Sequence, residues 1–141
     1  MKRKGFRKMS TPAAIGMKMG DNTVHAVRVH WDGYLSGVGN ILNEHYRDYN
    51  VVKNLIWLGE LSSLSDCPDT TVAYHRDYNE KMTPPMVFNN TDEFLRDGKK
   101  RLAAEYLYYY DPDQDKWYVT GMPGIRFKLG WNELETLVDL G

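Results

Sequence analysis

The chain has 141 residues, 42% hydrophobic and 26% charged, a balance that excludes intrinsic disorder and fits one domain able to bury roughly 65–70% of its unfolded surface. No apolar run approaches the ~20 residues of a membrane-spanning helix, and the single cysteine, Cys67, excludes an internal disulfide. The simplest compartment is therefore a reducing cytoplasm, because the basic N-terminus is not followed by the apolar stretch of a secretion signal. The formal net charge of −1 hides an asymmetry: Lys2, Arg3, Lys4, Arg7 and Lys8 are five of the 18 basic residues, so the other 13 face 19 acidic ones, about −6. Residues 1–9 read as a flexible basic arm able to make weak contact with nucleic acid. A solvated extension, or a normal beginning at Met9-Ser10-Thr11-Pro12, is the plainer reading.

In chain order, Ala13 to Met19 and Thr23 to Trp31 are predicted as a hairpin around Gly20-Asp21-Asn22. Val27, Val29 and Trp31 suit a core, and Arg28 and His30 point to the other face. A helix follows Gly37, with Val38, Ile41, Leu42, His45 and Tyr46 in one apolar stripe. A second spans Val51 to Leu58, entered at Asp48 or Asn50 and stopped by Gly59. Residues 60–69 form a polar loop, Thr70 to His75 a strand, and Pro84-Pro85 forces an extended linker. Asn90 and Glu93 have capping-box spacing for a short helix ending near Gly98. Glu105 to Tyr110 and Lys116 to Thr120 make a hairpin, Ile125 to Leu129 a further strand, and Asn132 and Glu135 cap a terminal helix burying Leu134, Leu137 and Val138. Together these predict an α+β fold: a single domain over residues 10–141, a mostly antiparallel sheet with about three to four helices packed on it.

The candidate ligand-binding residues are Arg28, His30, Trp31, Asp32, Gly33, Tyr34, Gly37 and Gly39, where a strand gives way through a glycine-rich turn to a helix. Unpaired helix amides attract phosphate or carboxylate, glycines admit close approach, Arg28 offers a bidentate contact, and Trp31 or Tyr34 can stack on a planar group. The spacing Gly33-x-x-x-Gly37-x-Gly39 is neither a dinucleotide fingerprint nor a phosphate loop of the Lys-Ser/Thr type, and a tight turn with Trp31 in the core is the competing reading.

Other motifs carry less. His30-Trp31-Asp32 and His75-Arg76-Asp77 would converge on a metal only if both ended strands side by side, and the favoured reading is solvated or core histidines; no metal and no cofactor is assigned. Asp111-Pro112-Asp113-Gln114-Asp115 resembles a calcium loop but has Lys116 and Met122 where glycine and glutamate are needed, so it reads as an acidic hairpin turn. Tyr106, Tyr108 and Tyr110 make one hairpin face phenolic, expected to be half-buried with hydroxyls reaching water, a stacking platform or an oligomer contact being the alternatives. Cys67 has no neighbouring cation to activate its thiol, and the serines at 62, 63 and 65 lack a nucleophile elbow.

The segment from His30 to Gly39, followed by Leu42 and His45-Tyr46, resembles a motif of small tailed-bacteriophage and prophage proteins. There a strand ends in His-Trp-Asp-Gly-Tyr and a Gly-x-Gly turn opens a helix ending in His-Tyr. Leu55 to Leu64, Tyr74-His75-Arg76-Asp77, the tyrosine-rich hairpin and Trp117-Tyr118 are similar too, so the likeness covers roughly residues 14–120. His75 departs from it, standing where glycine is expected. The resemblance implies a phage accessory protein in the cytoplasm of a bacterial host and supplies no catalytic residue. With it, the leading expectation is a non-enzymatic protein that binds a nucleotide-like or anionic ligand, or a host factor, to counter host defence. A protein–protein inhibitor or adaptor of a host or phage machine, with homo-oligomer formation open, and a minor virion component are the alternatives, ahead of a metal enzyme using His30, Asp32 and His75.

Overall fold

Two local devices start the fold. A computed structural model describes residues 10–121 and 128–138. In it β1 (Ala13–Lys18) and β2 (Val24–Val29) pair antiparallel. Asn22 turns the chain at φ 72°, a left-handed conformation that asparagine tolerates, and the Asp21 carboxylate accepts from the Thr23 amide at 3.1 Å. A π-helical turn, Leu35–Gly39, runs into α1 (Asn40–His45), and α2 (Tyr49–Ile56) starts where the Asp48 carboxylate caps the amides of Asn50 and Val51. Next come β3 (Leu61–Ser63), β4 (Val72–Ala73), α3 (Tyr74–Tyr78), β5 (Met86–Phe88), α4 (Thr91–Leu102), β6 (Tyr106–Asp111), β7 (Lys116–Thr120), β8 (Asn132–Glu133) and α5 (Leu134–Val138).

Among the described residues the strands form one eight-stranded sheet, ordered β4-β3-β2-β1-β6-β7-β8, with β5 also pairing β2. The fold is α+β, as expected. The sheet is mixed: β1 runs parallel to β6 and β2 parallel to β3, and the other pairings are antiparallel. Strand alternation splits the core in two. Ile15, Met17, Val27, Val29, Tyr108, Tyr110, Trp117 and Val119 lie with Leu42, Tyr46, Leu55 and Leu134 of the helical side. Ala14, Val24, Ala26, Leu107 and Tyr109 pack with Phe88 and with Phe94 of α4 on the opposite face.

Several boundaries differ from expectation. Only Val72 and Ala73 of the predicted strand 70–75 are extended, and Tyr74–Tyr78 turns helical, because the Asp77 carboxylate reaches back to accept from the Ala73 amide at 2.8 Å. The loop at 60–69 contains β3, paired to β2 at Val29. α4 continues through Gly98 to Leu102. A Cβ on Gly98 would stand 3.0 Å from the Leu107 side chain, so this glycine allows close packing and does not end the helix. Asn132 lies in β8, its amide bonded to the carbonyls of Val119, Lys128 and Gly130 instead of capping α5. The basic arm lies outside the described residues, as does most of the strand expected at 125–129; Lys128 and Leu129 belong to no strand.

Candidate functional site

The corner after β2 is built by hydrogen bonds that hold every turn of the chain. The amides of His30 and Trp31 donate to the carbonyls of Leu61 and Ser62 at 3.0 and 3.1 Å. Asp32 then reverses the chain at φ 61°. The Gly33 amide donates to Thr11 O at 2.7 Å, and its carbonyl accepts the Tyr108 hydroxyl at 2.7 Å. A Cβ on Gly33 would meet Thr11 O at 2.6 Å, and one on Gly37 would collide with the Asp32 carbonyl. These two glycines serve the protein's own backbone packing.

That geometry corrects the expected anion site. The amides of Gly37 and Gly39 donate to the Tyr34 carbonyl at 3.0 and 3.3 Å, and that of Val38 to the Asp32 carbonyl at 2.9 Å. The wide π turn folds back on the residues before it and consumes donors that a plain helix start leaves open. Trp31, Asp32, Tyr34 and Gly37 do line one pocket, of about 250 Å³, together with Ser36 and Ser63. Its charged group is the Asp32 carboxylate, which accepts the Tyr34 hydroxyl at 3.0 Å. Negative charge is therefore disfavoured there. Gly39 packs beneath the Tyr108 hydroxyl.

Arg28 and His30 do not join that pocket. The His30 ring stacks on Trp31, with centroids 4.5 Å apart, and its Nδ1 lies 3.3 Å from the Tyr74 hydroxyl. Arg28 lines a second cleft, of about 260 Å³, with Glu60, Pro84, Met86, Arg101 and Leu102. The cleft exists because β2 changes partner along its outer edge. Ala26 pairs with Met86 and Val29 with Leu61. Continuing the β5 ladder would bring Pro85 and Pro84 opposite Val27 and Arg28, and prolines have no amide to extend it. Arg28 Nε donates to Ala103 O at 3.3 Å and Nη1 to Glu60 Oε2 at 3.3 Å. Arg101 lies over the Phe88 ring at 4.4 Å and pairs with Glu93 at 3.5 Å.

Arg101, Glu60 and Ala103 were missed from sequence, although Pro84-Pro85 signalled where a ladder must stop. Tyr108, which locks Gly33, was missed as well.

The remaining motifs resolve into structural roles. His75 Nδ1 lies 2.7 Å from the Glu80 carbonyl, and Asp77 pairs with Arg76; among the described residues no group of three metal-ligating side chains forms. In the acidic turn Asp111 pairs with Lys18 at 3.8 Å, whereas Asp115 takes Arg47 at 3.1 Å and the Tyr110 hydroxyl at 2.6 Å. The Tyr110 and Arg47 hydrogen bonds hold the Asp115 carboxyl below its ordinary range. The phenolic face is a correction: Tyr108 and Tyr110 are buried, not half-exposed, because β6 lies inside the sheet with helices over its face. The Cys67 thiol is lowered by hydrogen bonds from Thr70 and not by any cation. No family model, no curated protein and no solved structure matches the chain.

Proposed function

We propose that the protein is a non-enzymatic binding protein that captures a small nucleotide-like or other anionic ligand in the cleft between Arg28 and Arg101. The observation that carries this reading is the presence of two guanidinium groups on one cleft of about 260 Å³ walled by Met86, Leu102 and Pro84. A guanidinium has five donors in a planar fork, and Arg28 spends Nε and one Nη1 contact on the protein, so donors remain for a carboxylate or phosphate. The apolar wall suits a planar or aliphatic body. The volume lies just under the ~300 Å³ at which ligand pockets ordinarily begin, which favours a mononucleotide-sized ligand, part of it outside. The likeness to tailed-phage proteins adds a purpose: withholding a host defence signal inside the bacterial cytoplasm, which needs tight capture without turnover.

Calorimetry with cyclic nucleotides, mononucleotides, ADP-ribose-type compounds and simple aromatic carboxylates tests the reading. The expected result is saturable binding by one of these classes, weakened roughly tenfold or more in Arg28→Gln, the size of losing one charge-assisted contact. Silence from the whole panel, or binding that ignores both Arg28→Gln and Arg101→Gln, removes it.

A second reading as a protein–protein adaptor draws on Tyr49, Trp57 and Val87, exposed at 43%, 48% and 47%, since aromatic groups anchor interfaces. Loss of a host partner from pull-downs with Trp57→Ser, but not with Arg28→Gln, would favour it.

A further inference from the structure

The arginine cleft has a charge balance that its guanidinium groups alone do not reveal. Arg28 Nη1 meets Glu60 Oε2 at 3.3 Å, and Arg101 Nη1 meets Glu93 Oε2 at 3.5 Å. Each guanidinium thus comes with a carboxylate, and the four groups carry no net charge. Among the described residues lining the cleft, no lysine or histidine tips that balance. Glu60 is on the lining itself, whereas Glu93 is not. Its backbone is fixed: its carbonyl accepts the Tyr74 amide at 3.2 Å, and the next residue, Leu61, pairs with Val29 of β2. Arg28 is fixed as well, because its Nε donates to the Ala103 carbonyl at 3.3 Å. The side chains of Arg28 and Glu60 are only 24% and 33% exposed, so water screens their field less than that of an open surface pair.

Granted the capture of an anion proposed above, on which this step rests, we infer that Glu60 is a charge filter. The cleft takes a singly charged oxyanion on an apolar body, a phosphodiester or a carboxylate, in preference to a doubly charged phosphate monoester. The first negative charge gains directed, charge-assisted bonds from the donors that Arg28 and Arg101 keep beyond their own pairs. A second negative charge meets no net positive field. It must also give up more hydration on entering a cleft walled by Pro84, Met86 and Leu102. Glu60 and the ligand share the Arg28 guanidinium, so the extra charge stands near the Glu60 carboxylate and is repelled by it. A neutral body would gain the apolar wall and none of the charge-assisted bonds.

The test titrates the full chain with phenylacetate, methyl phenyl phosphate and phenyl phosphate at matched ionic strength, followed by calorimetry. The pH is held at ~8, above the second ionisation of a phosphate monoester near ~6. The two phosphates share the ring and the phosphorus and differ by one methyl group and one charge. The expected result is saturable binding of at least one singly charged compound, with phenyl phosphate roughly tenfold weaker or more, the scale of one partly screened like-charge contact. In Glu60→Gln the gap between the two phosphates closes. Glutamine still offers a carbonyl oxygen to Arg28 Nη1, so this variant removes the charge and keeps the hydrogen bond; the comparison of the two phosphates on the unaltered chain needs no variant. Phenyl phosphate binding as tightly as its methyl ester, or a gap that persists unchanged in Glu60→Gln, overturns the filter. If that binding is lost in Arg28→Gln, capture in the cleft stands and only the choice of ligand charge fails. Silence from all three compounds overturns the filter too, while the capture reading stands or falls with its nucleotide panel.

Discussion

Tyr108 is fully buried, and its hydroxyl donates to the Gly33 carbonyl 75 residues earlier at 2.7 Å. That bond joins the centre of the sheet to the corner that shapes the Asp32 pocket. Tyr108→Phe keeps the ring and deletes the donor, leaving a buried carbonyl unsatisfied. The expected loss is about 1–3 kcal/mol, seen as a lower urea midpoint at unchanged slope; an unchanged midpoint would mean that water satisfies Gly33. The sequence places this tyrosine on a half-buried face with its hydroxyl reaching water, because alternation reports which residues share a face, not whether that face is covered. The same gap misled the reading of the glycines. Gly33 and Gly37 stand in a glycine-rich strand-to-helix turn that suggests close approach of a ligand, yet a Cβ at Gly33 would meet Thr11 and Ala13, and one at Gly37 would meet Asp32. The Thr11 and Ala13 contacts depend on tertiary packing, which no local pattern encodes.

Helix ends were legible where a side chain caps them. Asp48 caps α2, and Asn90 caps α4 by accepting the Glu93 amide at 2.8 Å, both as expected from residue type and spacing. The other end of α4 was not, because Gly98 invites a stop that packing forbids, and the true stop falls at Ala103. There φ is 50°, a left-handed conformation that costs a residue with a Cβ roughly 1–2 kcal/mol. Among the described residues, the other non-glycine ones with positive φ are Asn22, Asp32, Asn79 and Asp115, all of the two types that tolerate it best. Ala103 is the exception, and its carbonyl is held by Arg28 Nε. Ala103→Gly keeps that carbonyl while relieving the strain. After the extra chain entropy of glycine, a net gain of about 0.5–1 kcal/mol remains, a rise of a few degrees in thermal midpoint. A fall instead would show that the alanine methyl contributes packing in the arginine cleft that outweighs its strain.

At the scale of the whole molecule, the two hairpins and the α+β class were readable because they are local: turn residues and alternation within about thirty residues fix them. The parallel pairing of β1 with β6 joins Ala13 to Tyr106, and no short-range signal selects that partner. The second cleft was equally hidden, since it arises where β2 exchanges β5 for β3. Central placement of β6 has a further consequence for the molecule as a whole. Burial pushes the phenols of Tyr46, Tyr108, Tyr109 and Tyr110 up, that of Tyr46 to about 12, whereas an unfolded phenol ionises near pH ~10. The folded state therefore holds these protons more tightly than the unfolded state. Their contribution to stability is complete below pH ~10 and is lost as pH rises from there through the folded-state values. The thermal midpoint should stay level up to pH ~9 and fall steeply above pH ~10. Phenolate absorbance from the buried set should appear together with loss of far-ultraviolet ellipticity, in one cooperative step. If all ten tyrosines instead ionise in a single gradual phase near pH ~10 while ellipticity persists, the sheet is open to water on at least one face, and the two covered cores described above cannot both be closed.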